Sequence, residues 1–305
     1  MQFSPELLAI MDEMGTAPSG LTLNRIFDDP ELGQVKVRAY SNEAEAVRFE
    51  TTIVKLAEII NLPRLWGRHN RYLVFQYLKL AQRAGREPET YFGIGKMLGS
   101  LNQITTEAET SASLDVEFAG WMNRFQNMNL LPVRIANQAL ETYSRDRPQN
   151  AAICWDYWDA MPHNFGWFDQ QLYLLDEKHL RPSFSGIGLI KPYFLLDAEQ
   201  WAQVRQGYES VASFQFFEEW SAFLEFYYLA AALYFYSLAI EAGRIVPVEN
   251  QRYLDYRDEF IRRATAYRLV DQAVGEIQIL AAYPKSAPKI IVRRVKKMLG
   301  VNHAG

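Results

Sequence analysis

The chain has 305 residues, 49% of them hydrophobic and 22% charged, with a formal net charge of −4. That balance belongs to a folded globular protein; it excludes intrinsic disorder and the basic bias that would make nucleic acid an expected partner. A single cysteine, Cys154, excludes an internal disulfide and a multi-cysteine metal cluster, and the N-terminus shows neither the basic start nor the apolar run of a signal peptide, so a cytoplasmic protein is expected.

Ser4-Pro5-Glu6 predicts a helix start, with Ser4 as cap and Pro5 where a missing N–H costs nothing. Gln34 to Tyr40 alternates Val35 and Val37 with Lys36 and Arg38, the one strand-like segment, near 34–40. Asn42 followed by Glu45 forms a capping-box pattern and opens a helix that Pro63 stops. Asn70 is expected to cap a further helix ending at Gly85, with Leu73, Tyr77, Leu80 and Ala84 in line.

Leu114, Phe118, Trp121, Phe125 and Met128 recur at helical spacing over 112–128, and Pro132 begins the next helix. Arg145-Asp146-Arg147-Pro148 reads as a polar connector, dividing the chain into an N-terminal helical half, 1–148, and a C-terminal bundle half, 149–305. Beyond Pro162 to Gly166, the residues Phe168, Leu172, Leu175 and His179 share one expected helix face. Asp197 caps a helix carrying Trp201, Val204 and Tyr208.

The stretch from about 214 to 242 is the most apolar in the chain, and between Trp220 and Ile240 only Glu225 is charged. Its length would span a bilayer. Glu225 and the hydroxyls of Tyr227, Tyr228, Tyr234 and Tyr236 favour a buried bundle helix instead. A long heptad-patterned helix follows at about 250–282, with Tyr253, Tyr256, Phe260, Tyr267 and Val270 in its stripe; it offers a surface for oligomer formation. Together these segments predict an all-α, aromatic-rich multi-helix bundle with at most a minor strand.

Chemistry-bearing residues are sparse: four histidines and no coherent catalytic motif. Glu218, Ser221 and Glu225 fall on one helix line, a row that could face a bundle interior, or that reflects dipole-favoured first-turn acids and an arginine pair for Glu225. Asp176 and His179 have the spacing of two ligands on one helix side, but no Glu-x-x-His occurs, so no metal is expected; Asp176, His179, Glu218 and Glu225 are the residues that would hold one. Arg64, Arg68, His69 and Arg71 cluster beside Trp66 as an anion-binding candidate. Gly93, Gly95 and Gly99 superficially resemble a phosphate loop without its spacing or setting. His163 lies in an aromatic loop, four residues after Asp159.

The tail carries Arg293, Arg294, Lys296 and Lys297 opposite Ile291, Val292, Val295 and Leu299. A basic amphipathic helix at 289–299 would touch an acidic partner protein or an anionic membrane surface. The expected function is therefore a non-catalytic interaction or accessory protein working through that helix. The alternatives are a helical enzyme acting on a small apolar or aromatic substrate through Glu225, Asp176 and His179, with no cofactor specified, and a carrier of a hydrophobic ligand.

Overall fold

The computed structural model describes residues 3–17, 22–79, 82, 83, 85, 87–106, 111–149 and 151–265. Helix α1 (Pro5–Met14) begins as its sequence demands: the Ser4 hydroxyl oxygen accepts from Leu7 N at 3.1 Å, and Ser4 also donates to Asp29 at 2.6 Å. Strands β1 (Leu23–Asp29) and β2 (Gly33–Ala39) then lead into α2 (Glu43–Leu56), capped by Asn42. A hairpin of β3 (Leu65–His69) and β4 (Tyr72–Gln76) follows. The four strands form one antiparallel sheet in the order β1-β2-β4-β3.

Alternation along β2 divides the sheet's faces. Val35, Val37 and Ala39 pack with Tyr72 and Val74 under α1 as a small separate core. Tyr40, Leu73 and Phe75 join the main core instead, and the cations Lys36 and Arg38 share their side of the sheet. The helix expected from Asn70 to Gly85 is thus strand β4. Tyr72, Leu73, Val74 and Phe75 are all buried because β4 is flanked by two strands and covered on both faces, which erases the alternation that would mark a half-exposed strand. Asn70, at φ 50°, turns the hairpin.

The larger lobe begins after a short strand, β5 (Gln82–Arg83). Helices α3 (Pro88–Asn102), α4 (Ser111–Asn127) and α5 (Val133–Asp146) precede β6 (Ile153–Tyr157). A hairpin of β7 (Phe165–Phe168) and β8 (Gln171–Leu174) comes next, then β9 (Leu180–Phe184), which pairs with β6, and the helices α6 (Ile190–Leu195) and α7 (Ala198–Glu209). The helix face expected through Phe168, Leu172, Leu175 and His179 is the β7–β8 hairpin. Asp169 and Gln170 both adopt positive φ, 48° and 60°, as the two central residues of a tight hairpin turn require.

The Gly93, Gly95 and Gly99 group has a packing role. A Cβ on Gly95 would stand 1.9 Å from the Val204 carbonyl oxygen, and one on Gly207 would stand 2.0 Å from that of Phe92. Bare backbone at these positions lets α3 and α7 touch. Asn102, at the end of α3, uses that closeness. Its amide donates to Asp156 at 3.0 Å and to the Trp155 carbonyl at 2.9 Å, and its oxygen accepts from Tyr208 at 2.8 Å and Gly186 N at 2.7 Å.

Helices α8 (Gln215–Glu241) and α9 (Gln251–Thr265) complete the described lobe. Among the described residues α8 is the one helix long and apolar enough to cross a membrane, yet 67% of its apolar window is buried within the protein, the pattern of a core helix in a soluble protein. Tyr227 is fully buried and ringed by Phe118, Trp121, Tyr143, Phe184 and Phe223; each aromatic pair adds about 0.5–1.5 kcal/mol beyond its area. The central helix and the strand near 34–40 are where the sequence placed them. The all-α bundle is not: a four-stranded sheet forms one lobe, and strand pairs are inserted among the helices of the other. The heptad pattern beyond Thr265 and the basic helix at 289–299, with Arg293, Arg294, Lys296 and Lys297, lie outside the described residues.

Candidate active site

Strand β6 delivers the chain to a loop, 158–164, that ends in a short 3₁₀ turn, Pro162–Asn164. Asp159 and Asn164 stand five residues apart on it. The Asn164 amide donates to the Asp159 carbonyl at 2.7 Å, and Asn164 N donates to Met161 O at 2.9 Å, so the loop is closed on itself. The Asn164 carbonyl accepts from Leu175 N at 2.8 Å. Asp176 is the next residue, so the hairpin returns it to the loop that carries Asp159.

The Asp159 carboxylate is ion-paired with Lys191 from α6 and stands 3.9 Å from His179 Nε2. Burial works to raise the Asp159 pKa, but the charge and hydrogen bond of Lys191, with His179 and Asn164, together outweigh it and the net direction is down. Burial also drives His179 down to about 4, so this imidazole is neutral near pH 7. Its ring meets Phe235 edge-on at 5.2 Å.

Asp176 faces the small lobe. Its Oδ1 accepts from Arg38 Nη2 at 3.1 Å and its Oδ2 lies 3.1 Å from Lys178. Arg38 Nη1 is 2.7 Å from Glu177, and Lys36 Nζ donates to the Leu175 carbonyl at 2.8 Å. Burial opposes ionisation of Asp176, yet the Arg38 guanidinium and Lys178 hold its carboxyl well below the usual range. Two cations of β2 thus meet two carboxylates of the larger lobe in a buried cluster, where charges are retained only if paired.

A cavity of about 240 Å³ opens beside Asp159. Trp158, His179 and Lys191 form one wall, Tyr228, Phe235 and Tyr236 of α8 another, and Arg252 and Tyr256 of α9 its edge. A larger cavity of about 590 Å³ lies between Ile59–Asn61, the first turns of α3 and the β7–β8 hairpin. It contains neither Asp159 nor Asp176, so the smaller cavity is where the loop's chemistry can reach a ligand.

The residues singled out from sequence separate. Glu225 pairs with Arg263, and Glu218 with Arg205 at 2.7 Å; neither lines the cavity beside Asp159. Asp176 and His179 flank a short 3₁₀ turn rather than sharing a helix face; Asp176 points to Arg38 and His179 to Asp159. Among the described residues no group of three or more His, Cys, Asp or Glu is placed to hold a metal. The arginine cluster belongs to the β3–β4 hairpin: Arg64 stacks on Trp66 at 4.1 Å, Arg68 pairs with Glu43 and Glu50, Arg71 donates to the Tyr72 hydroxyl, and His69 contacts Asn70. His163 is exposed. Sequence reading missed Asn164, Lys191, Arg38 and Arg252. The one available signal was the Asp159-x-x-x-x-Asn164 spacing followed by Asp176 beyond the next hairpin.

No family model matches the chain, and no curated protein matches it in sequence. Its fold, however, is shared by solved kinases. A choline kinase from Streptococcus pneumoniae superposes with a TM-score of 0.60 at 10% identity, over 86% of this chain and 98% of that one. A putative fructosamine-3-kinase from Thermobifida fusca gives 0.56 at 15% identity, over 84% and 96%. The aminoglycoside phosphotransferase APH(2")-IIa in its gentamicin complex gives 0.54 at 12%, over 86% and 96%. These likenesses overturn the expectation of an all-α interaction or accessory protein: the architecture is the two-lobed one of small-molecule kinases, with a β-rich lobe over a helical one.

Proposed function

We propose that the chain is a phosphotransferase that moves a phosphoryl group from a nucleoside triphosphate to a hydroxyl of a small molecule bound beside Asp159. The observation that carries this reading is the Asp159–Asn164 loop locked to the residue before Asp176. Kinase catalysis uses an Asp and an Asn five apart on one loop, and a second Asp after the following strands.

The fit to a divalent cation rests on donor type. The Asp176 carboxylate and the Asn164 amide oxygen are hard oxygen ligands of the sort magnesium takes, and a cation there would neutralise charge on the phosphates. Asp176 is engaged by Arg38 and Lys178 in this structure, so a divalent cation held there would take the place of one of these cations. Asp159 accepts the proton of the acceptor hydroxyl as that oxygen attacks phosphorus, and the nucleoside diphosphate leaves with the electrons of the broken P–O bond. Lys191 keeps Asp159 ionised and aimed. Arg38 and Lys178, which contact Asp176, and Lys36, held at the Leu175 carbonyl, are cations close to where phosphates would meet Asp176.

Two departures from the kinase template define how this chain would work. No G-x-G-x-x-G loop is present in the sequence. The glutamates of α2 are committed elsewhere, Glu45 to Ser41 and Glu43 and Glu50 to Arg68, so Arg38 pairs with Glu177 instead of a helix glutamate. Phosphate recognition then falls to side-chain cations rather than to backbone N–H groups.

A cytoplasmic setting suits a nucleotide-dependent enzyme with one buried cysteine. The test is magnesium-dependent ATP binding, followed by isothermal titration, with Asp176→Asn as control. Binding that D176N weakens supports the reading; absence of nucleotide binding at millimolar ATP ends it.

A further inference from the structure

The charges around the cavity beside Asp159 define its ligand. Asp159 is the carboxylate that lines it, and Lys191 already neutralises it. Among the described residues no carboxylate is ion-paired with Arg252, which stands exposed at the cavity's edge. The neutral His179 adds no charge, so the lining carries one net positive charge. The walls between these ends are the rings of Tyr228, Phe235, Tyr236 and Tyr256.

Tyr228 lines the cavity together with Asp159 and Arg252. Burial raises its phenol well above the usual value; Tyr256 and Asp159 act in the same direction, and Arg252 against it. Its hydroxyl therefore feels both the carboxylate of the loop and the guanidinium of α9. A ligand filling the cavity meets the Asp159 carboxylate and the Arg252 guanidinium in the same space.

We propose that the acceptor is a small hydroxylated aromatic or apolar acid, its hydroxyl at Asp159 and its carboxylate or other anionic group at Arg252. This rests on the phosphotransferase reading for the role of the hydroxyl, whereas the charge preference rests on the cavity alone. At about 240 Å³ the space equals roughly eight waters of liquid volume, room for a single ring with a short side chain. Aromatic walls by themselves would also attract an ammonium ion. Here such a cation would meet Lys191 and Arg252 with no unpaired acid to balance it. The choline kinase named above acts on a quaternary ammonium compound, so this cavity selects the opposite charge on a shared fold.

Three probes of matched shape test the inference by isothermal titration without nucleotide at neutral pH: 4-hydroxyphenylacetate, its neutral amide and the amine tyramine. The acid should bind tightest, by about tenfold over tyramine. Arg252→Gln should weaken the acid by about tenfold and leave the amide within about twofold. Tighter binding of tyramine, an unchanged affinity of the acid in R252Q, or no binding of any probe overturns the proposal. Magnesium-ATP-dependent phosphorylation is then measured separately. Binding of the acid without transfer leaves the charge preference standing and sinks the phosphotransferase reading, whereas transfer to tyramine in preference to the acid does the reverse.

Discussion

Arg38 of the β-rich lobe and Asp176 of the helical lobe meet at 3.1 Å. Arg38 is 2% exposed and also reaches Glu177 at 2.7 Å and Asn24 at 2.9 Å. A fully ionised guanidinium there is stable because three oxygen partners replace its water. The contact fixes the lobes against one another and holds Asp176 next to the Asp159 loop.

Replacing Arg38 with Met should therefore do more than remove an attraction. Glu177, itself 0% exposed, would lose its closest cation and keep only Lys36 at 3.6 Å, and stripping a buried charge of its main partner costs up to about 3–5 kcal/mol. Urea unfolding of R38M should show a loss of that size; a change under about 1 kcal/mol would mean that the cluster is hydrated and weak.

On the phosphotransferase reading, Asp159→Asn removes the proton acceptor while keeping shape. Phosphoryl transfer should fall by about a hundred- to ten-thousandfold, with ATP affinity unchanged within about twofold. Initial rates and titrations on the same preparation separate the two. Retained transfer in D159N would move the base elsewhere.

His179 gives a pH signature. Its pKa falls from 6.5 when free to about 4 when folded, chiefly through burial. Between those values the unfolded chain binds a proton that the native chain does not, so this group makes stability rise with pH there and fall as pH drops from about 6.5 to about 4. His179→Gln should flatten that window relative to the wild type, by about 3 kcal/mol across it. Paired unfolding curves at several pH values would read the difference directly, and parallel curves for the two proteins would contradict a buried neutral imidazole.

Gly95→Ala should be severely destabilising although the change is one methyl group. The new Cβ meets the Val204 carbonyl at 1.9 Å, and two rigid helices must separate to admit it. A loss of about 3 kcal/mol or more is expected, measured by thermal unfolding. Gly120→Ala, where a Cβ meets nothing within 4 Å, is the control and should be neutral to slightly stabilising through helix propensity.

The local chemistry of the chain was legible before any fold was known. Ser4, Asn42 and Asp197 cap the helices that their sequence context announces, and Asp197 with Gln200 forms a complete capping box. The half-buried strand β2 and helices α4 and α5 also follow from their own periodicity, and α8 from its unbroken apolar run. Glu225 finds an arginine, one of the two readings its position allowed.

Two kinds of element escaped. Strand β4 is buried on both faces, so its side chains lack the alternation that betrays a strand at a surface. The β7–β8 hairpin turns on Asp169-Gln170, which lacks the glycine that usually signals such a turn. Of the nine described strands only β2 reads as one from sequence; losing the others turns a two-lobed protein into a helical bundle, and reading β7–β8 as a helix carries Asp176 and His179 onto a helix face that does not exist.

By itself the sequence determined which segments are apolar, where helices begin, and that one cysteine and four histidines exclude several chemistries. Only the tertiary structure decided which charges meet. Arg38 finds Asp176 across 138 positions, Lys191 finds Asp159 across 32, and Arg252 reaches the same cavity from another helix. Ion pairs of that kind carry no local periodicity; they are set by strand register and by helices brought together where glycine leaves room, which is long-range packing. For that reason the Asp159–Asn164 loop reads as one polar turn among many until the fold places Asp176 and a cavity beside it.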